Sequence, residues 1–134
     1  MSLEDATKAL ELAWEELRRY LKDGEALRLR DSCEKGWLAV VLATDALLEK
    51  RGYGRPSSYR ERRELLRRLE REEPLAAEMG LRDRFGARGY YLHVLGYHEG
   101  SLSAEEVEEE LEKASEYLRD VRRLLEEAEA RRQA

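Results

Sequence analysis

The fold is decided by the stretch Trp37-Leu38-Ala39-Val40-Val41-Leu42-Ala43-Thr44-Asp45-Ala46-Leu47-Leu48, in which Thr44 and Asp45 are the only polar residues. It forms the second half of a predicted helix over about 25–50, whose first half is polar. A helix that is apolar around its whole circumference is buried on every side. We therefore expect it at the centre of a helical bundle. The run is shorter than the ~20 residues of a membrane span, so no membrane partner is expected.

Helical periodicity continues on the N-terminal side of this stretch. Residues 3–21 place apolar side chains three and four residues apart, which puts them on one face of a helix. Ser2 is a suitable N-cap for this helix, and Asp5 three residues later completes a capping box. Gly24 is expected to end it.

Glycines and prolines divide the middle of the chain. Ser58 followed by Glu61 predicts a third helix that runs to about Glu72. The stretch 75–99 is predicted to be one helical segment, interrupted near Gly80 or Gly86 because glycine weakens a helix.

The last predicted helix runs from Ala104 to about Arg131, after a capping box at Ser103. Its apolar residues alternate by four and three, the spacing of a heptad seam that packs along another helix: Val107, Leu111, Ala114, Leu118, Val121, Leu125 and Ala128. The predicted fold is all-α, a single-domain up-and-down bundle of four to five helices over 1–134, with a charged C-terminal tail at 126–134.

Composition narrows the function classes. The net charge of -5 argues against a protein that coats nucleic acid indiscriminately, although a local basic face remains possible. Cys33 is the only cysteine, so no internal disulfide and no cysteine-based zinc site can form, and we expect a cytoplasmic protein. Arginine and glutamate dominate the charged residues, which account for 41% of the chain and suggest a thermophile.

Charge is distributed unevenly along the chain. Residues 51–71 hold eight arginines and three glutamates, whereas 99–129 hold twelve acidic and four basic residues. The arginine-rich helix is either a solvated face with internal ion pairs or a surface for RNA phosphates, for which Arg60, Arg63 and Arg67 are the candidates. Tyr90 and Tyr91 either stack on RNA bases or belong to the core.

The two histidines, His93 and His98, are five residues apart. On an α-helix this spacing separates them by roughly 140°, so we expect no chelating pair and no metal site. Arg88 is long enough to reach the side of His93, and both residues together could address one phosphate. The alternative for His93 is a core histidine bonded to a carbonyl. Glu34 either pairs with Arg30 one turn earlier or supports a site.

Two stretches carry a family resemblance. The run Arg30-Asp31-Ser32-Cys33-Glu34-Lys35-Gly36-Trp37 and the apolar stretch after it resemble the second helix of HEPN (higher eukaryotes and prokaryotes nucleotide-binding) domains, and more closely archaeal PaREP-type proteins. Arg88-Gly89-Tyr90-Tyr91-Leu92-His93 resembles the HEPN motif of an arginine and a histidine separated by a few residues. Gly89 stands where active HEPN members often carry a polar residue.

The resemblance implies a homodimer in which two such motifs meet in one cleft and cut RNA without a metal or another cofactor. In this chain His93 would be the general acid/base, Arg88 the electrophile at the phosphate oxygens and Glu34 a supporting polar residue. The leading prediction is a protein that binds or cuts RNA or a nucleotide, as in toxin-antitoxin or defence systems. The alternative is a noncatalytic interaction module, such as a partner of a small nucleotidyltransferase.

Overall fold

The computed structural model describes residues 2–133, with side chains described as far as Ala130. Helices account for all the regular secondary structure of this part of the chain, which confirms the all-α prediction. It holds six α-helices and a π-helical segment, π1, rather than four or five helices, because the stretch 74–99 is divided into three: α1 (Leu3–Asp23), α2 (Ala26–Lys50), α3 (Tyr59–Glu72), α4 (Pro74–Met79), α5 (Leu81–Arg88), π1 (Gly89–Glu99) and α6 (Ala104–Gln133).

Helix α2 lies at the centre of the bundle, as predicted, and contacts α1, α3, α5, π1 and α6. Its polar side chains inside the core are hydrogen-bonded: the Ser32 hydroxyl donates to the Ala13 carbonyl over 2.7 Å, and the Thr44 hydroxyl lies 2.6 Å from that of Tyr117. One side of α2 is left uncovered, as the 46% exposure of Leu38 shows. The apolar run is therefore not enclosed on every side.

The chain enters and leaves α1 through local signals. Ser2 and Asp5 form the predicted capping box, and Gly24 ends the helix with a left-handed φ of 69°. A residue with a Cβ would be strained in this conformation. The short turn that follows returns the chain along α1 as α2.

Arginines connect the outer helices to the central one. Arg62 of α3 makes a bidentate ion pair with the buried Asp45 of α2, at 2.6 and 2.8 Å. Arg51, directly after α2, pairs with Glu73 and donates to the Leu124 carbonyl of α6 over 3.1 Å. Two of the eight arginines at 51–71 therefore hold the fold together instead of facing solvent.

The π-helical segment was predicted as part of an α-helical stretch over 75–99. The structure breaks that stretch at Gly80, with a φ of 63°, while Gly86 lies inside α5. At Gly89 the chain continues without a break, but its hydrogen bonds change to the π pattern, in which each N–H bonds to the carbonyl five residues back. Gly100 ends π1, and its N–H donates to the Leu95 carbonyl.

Close packing fixes π1 on α2. A Cβ placed on Gly96 would lie 2.4 Å from the Cys33 Sγ, so only glycine allows this approach. The Arg30 side chain donates its Nε to the Tyr97 carbonyl over 2.7 Å and its Nη2 to the His98 carbonyl. These bonds satisfy carbonyls that the end of the helix leaves open.

The heptad seam of α6 is buried as predicted, from Val107 through Val121. Ser103 and Glu106 form the predicted capping box at its start. The helix continues to Gln133, slightly beyond the predicted end near Arg131, so residues 126–133 extend α6 and do not form a separate tail.

Candidate functional site

The two histidines lie side by side in π1. The His93 Nε2 is 3.1 Å from the His98 Nε2, and the rings are nearly perpendicular with centroids 4.5 Å apart. The prediction that they lie on different sides of a helix was wrong, because it assumed α geometry. A π turn holds more residues than an α turn, which brings residues i and i+5 together.

Glu34 of α2 completes this group. Its Oε2 is 2.8 Å from the His93 Nδ1, and the two side chains are 36% and 35% exposed. The alternative pairing of Glu34 with Arg30 does not occur, because Arg30 is turned toward the end of π1. His93 is also not a core histidine bonded to a carbonyl, since both of its ring nitrogens face side chains.

Hydrogen-bond chemistry defines the proton positions in the chain Glu34–His93–His98. An ionised carboxylate only accepts, so the His93 Nδ1 carries a hydrogen. In a neutral His93 the Nε2 is then an acceptor, and the His98 Nε2 must donate to it. The His98 Nδ1 keeps its lone pair, and the His98 side chain is exposed. The chain therefore has one free acceptor, at its outer end.

A groove of about 440 Å³ opens beside His93. Its walls are largely aromatic and aliphatic, and its lining residues are Trp37, Val41, Tyr59, Arg62, Gly86, Gly89, Tyr90, His93 and Val94. The Trp37 ring packs on Phe85 with centroids 5.1 Å apart, so a core residue holds this wall in place. The size and lining suit a small planar ligand with a polar edge.

Gly89 keeps the groove open. A Cβ on Gly89 would lie 3.1 Å from the Trp37 ring and 3.3 Å from the Tyr59 ring, which is tighter than ordinary contact. Trp37 and Val41 of α2 thus face a groove on the outside of the protein. Gly89, at the position where active HEPN members often have a polar residue, contributes space instead of a side chain.

Arg88 lies apart from the histidines. Its Nε donates to the Glu110 Oε1 of α6 over 2.9 Å, and both side chains are buried, at 7% and 8% exposure. Arg88 is not among the groove-lining residues. The structure therefore brings Glu34 and His93 together but directs Arg88 into the core, although Arg88 and His93 have the same spacing as His93 and His98.

The predicted RNA-binding residues are at the surface. Arg60 is 80% exposed and pairs with Glu64 one turn later, while Arg63 and Arg67 make no ion pair within the part of the chain whose side chains are described. Tyr90 and Tyr91 are 53% and 40% exposed and pack edge to face. Neither tyrosine belongs to the core, and Tyr90 lines the groove.

Sequence reasoning missed four residues of this site. His98 was set aside because of its spacing, and Trp37, Tyr59 and Arg62 carried no signal that separates a groove wall from a core residue. No cluster of three or more metal-ligating side chains occurs between residues 2 and 130. Within the described helices, none has the length and apolar character needed to cross a membrane.

Comparison with protein-family models gives a match over most of the chain. Residues 2–118 match the archaeal PaREP1/PaREP8 family. The chain belongs to this family. The matched region of this PaREP1/PaREP8 protein includes the groove, Glu34, both histidines and the Arg88–Glu110 pair. Neither the curated proteins nor the solved structures include one that matches the chain.

Proposed function

We propose that this PaREP1/PaREP8 protein binds RNA at the groove beside His93 and cleaves it without a metal, with Glu34–His93–His98 as the acid/base group. The observation that carries the proposal is the hydrogen-bonded chain of a carboxylate and two imidazoles, 2.8 and 3.1 Å apart, whose middle residue, His93, lines an open groove. Imidazole is the side chain that exchanges protons near neutral pH. A carboxylate that orients it is a common part of such sites.

The reaction that suits this group is attack of an RNA 2'-hydroxyl on the adjacent phosphodiester. It needs a base for the hydroxyl proton and a proton for the leaving 5'-oxygen. Both are proton transfers that positioned imidazoles accelerate by about 10²–10⁴-fold. The products are a 2',3'-cyclic phosphate and a free 5'-hydroxyl.

The groove supplies the binding surface. The rings of Trp37, Tyr59 and Tyr90 offer faces and edges for one nucleobase, as in sequence-tolerant binding of single strands. Tyr59 is also the first residue of α3, so the exposed Arg63 and Arg67 follow one and two turns away from the groove. A strand with one base in the groove would have its phosphates near α3.

Arg88 does not act on the phosphate in this proposal. Its guanidinium is buried against Glu110, and a phosphate would have to displace that carboxylate from the core. Breaking a buried ion pair leaves an uncompensated charge, which costs about 3–5 kcal/mol. We assign Arg88 to the stability of the α5–α6 contact.

Association into a homodimer is part of the proposal. Leu38, Tyr90 and Val94 are large apolar residues with substantial exposure, at 46%, 53% and 38%, and the last two line the groove. Contact about a two-fold axis through this region would cover Leu38 and leave the groove, with Tyr90, open between the protomers. Sedimentation should give about 31 kDa, twice the 15.7 kDa of the chain, and a monomer at tens of micromolar would contradict this part.

The test is cleavage of a structured RNA by the purified protein, with and without EDTA. We expect cyclic-phosphate products at the same rate in both conditions. His93→Ala should lose ~10²-fold or more of the rate, while its melting temperature stays close to that of the wild type because the side chain is half-exposed. Intact RNA after incubation with the wild type, or cleavage that EDTA abolishes, would contradict the proposal.

A noncatalytic interaction module is the second candidate. The observation in its favour is the same set of exposed apolar residues, Leu38, Tyr90 and Val94, on which a protein partner such as a small nucleotidyltransferase could pack. Under this candidate the wild type leaves RNA intact, and Leu38→Glu abolishes binding of the partner. Cleavage by the wild type decides against it.

A further inference from the structure

The π-helical segment creates a contact that an α-helix would not make. The His93 and His98 Nε2 atoms face each other at 3.1 Å, a hydrogen-bond distance at which one nitrogen donates and the other accepts. Glu34 holds the far side of His93. Both ring nitrogens of His93 are thus engaged by side chains of the protein itself.

We infer that His98, and not His93, is the residue that exchanges a proton with the substrate, and that His93 receives this proton from His98. The inference rests on the proposed function and adds a catalytic residue to it. It follows from the order of the chain, since the sole unengaged ring nitrogen is the His98 Nδ1 at its exposed end. The His93 Nδ1 is bonded to Glu34 and its Nε2 to His98, so His93 has no ring nitrogen left for the substrate.

The proton transfer proceeds in two steps. The RNA 2'-hydroxyl gives its proton to the His98 Nδ1, and the proton on the His98 Nε2 moves to the His93 Nε2. His93 is then an imidazolium whose Nδ1–H remains bonded to the Glu34 carboxylate, and His98 is neutral again with its hydrogen on Nδ1. The positive charge ends next to the carboxylate instead of beside the substrate.

The remaining atoms balance with one water molecule, which carries a proton and is regenerated. The deprotonated 2'-oxygen forms a bond to phosphorus, and the bond between phosphorus and the 5'-oxygen breaks. A water molecule passes the proton on to the leaving 5'-oxygen: it takes the extra proton from the His98 Nδ1, as the two transfers reverse, and gives one of its own to the oxygen. The pair of histidines returns to its starting tautomers.

A His98→Gln variant tests the inference. A Gln amide can still donate toward the His93 Nε2, but it has no nitrogen that titrates near neutral pH. We expect a loss of ~10²-fold or more in cleavage rate, with unchanged melting temperature and unchanged affinity for an RNA whose 2'-hydroxyl is replaced by hydrogen at the cleaved position. Glu99→Gln, at the neighbouring exposed residue, is the matched control and should cleave at the wild-type rate.

Nitrogen NMR of the imidazoles supplies a readout that needs no catalysis. In neutral protein we expect His93 with its hydrogen on Nδ1 and His98 with its hydrogen on Nε2. The opposite His98 tautomer, or full cleavage by His98→Gln, would overturn the inference while leaving cleavage by the protein intact. If the wild-type protein leaves RNA intact, both the proposed function and the proton transfer from RNA are overturned. The NMR measurement would still show which nitrogens of His93 and His98 carry hydrogens.

Discussion

Arg88 and His93 are five residues apart on one continuous helical stretch, yet their side chains lie in opposite environments. Arg88 points to α6 and is buried in an ion pair with Glu110, whereas His93 points to α2 and is half-exposed beside a groove. An arginine-histidine spacing in the sequence does not specify which helix each side chain faces. The difference separates a residue that holds the bundle together from one that can meet a ligand.

The largest expected effect is the loss of stability when the Arg88 side chain is removed. Arg88→Ala removes one partner of a buried pair and should lower the free energy of unfolding by about 3–5 kcal/mol, as measured by urea denaturation. His93→Ala should change it by less than about 1 kcal/mol, in the range of surface substitutions.

Arg123→Ala is the control for removal of an arginine, since Arg123 pairs with Glu127 at 60% exposure and should contribute little. If Arg88→Ala is as stable as this control, Arg88 is not a structural residue and the contrast with His93 fails.

A smaller effect is expected where π1 packs on α2. Gly96→Ala would place a Cβ 2.4 Å from the Cys33 Sγ and 2.8 Å from its Cβ, so π1 has to shift. We expect the free energy of unfolding to fall by about 1–3 kcal/mol, as for other overpacked cores. The hydrogen bond between the two histidines should also be weaker by NMR.

Gly86→Ala is the matched control within α5. The added Cβ has its nearest contact at the Tyr59 hydroxyl, 3.5 Å away, which is ordinary contact. Because alanine has a higher helix propensity than glycine, this change should stabilise the protein by up to about 1 kcal/mol. The same sign for both variants would show that π1 is not held tightly on α2.

The bundle could be predicted from the sequence because its signals are local. The caps at Ser2, Ser58 and Ser103 and the heptad seam of α6 all act within a few residues, and the structure has each of them. The long apolar run likewise predicted the central position of α2.

The site could be predicted only in part, because it depends on contacts between helices. Glu34 and His93 were both candidates, but their 2.8 Å contact joins residues 59 apart in the chain. His98 was missed because a π-helix has no composition signal that distinguishes it from an α-helix. The burial of Arg88 likewise depends on Glu110, which no local pattern connects to it.

The arginines of α3 offer a weaker test of the exposed side of the molecule. Replacing Arg63 and Arg67 by glutamine should reduce the slope of log affinity against log salt for single-stranded RNA by about 1.4, roughly 0.7 for each phosphate contact. Arg68 pairs with Glu72 and lies over the Tyr53 ring, so Arg68→Gln should change the slope less. Equal slopes for all variants would leave α3 as a solvated face.

The smallest effect concerns the buried side of π1. Burial raises the pKa of the Cys33 thiol to about 12, so the thiol stays protonated at pH 8. A reagent that reacts with cysteine thiolates should therefore not label the native protein. Labelling should become complete in urea. Rapid labelling of the native protein at pH 8 would mean that π1 opens readily from α2, and the histidine pair would not be held in place.

The central claim is that His93, with Glu34 and His98, is the functional group and that Arg88 is structural. The double variant Arg88→Met, Glu110→Leu tests it most directly, because apolar residues of similar size commonly replace a buried ion pair without loss of stability. We predict that this variant folds and cleaves RNA at the wild-type rate, with unchanged insensitivity to EDTA. A folded double variant whose cleavage is reduced ~10²-fold, the loss expected for a catalytic group, would contradict the account and place Arg88 in the site.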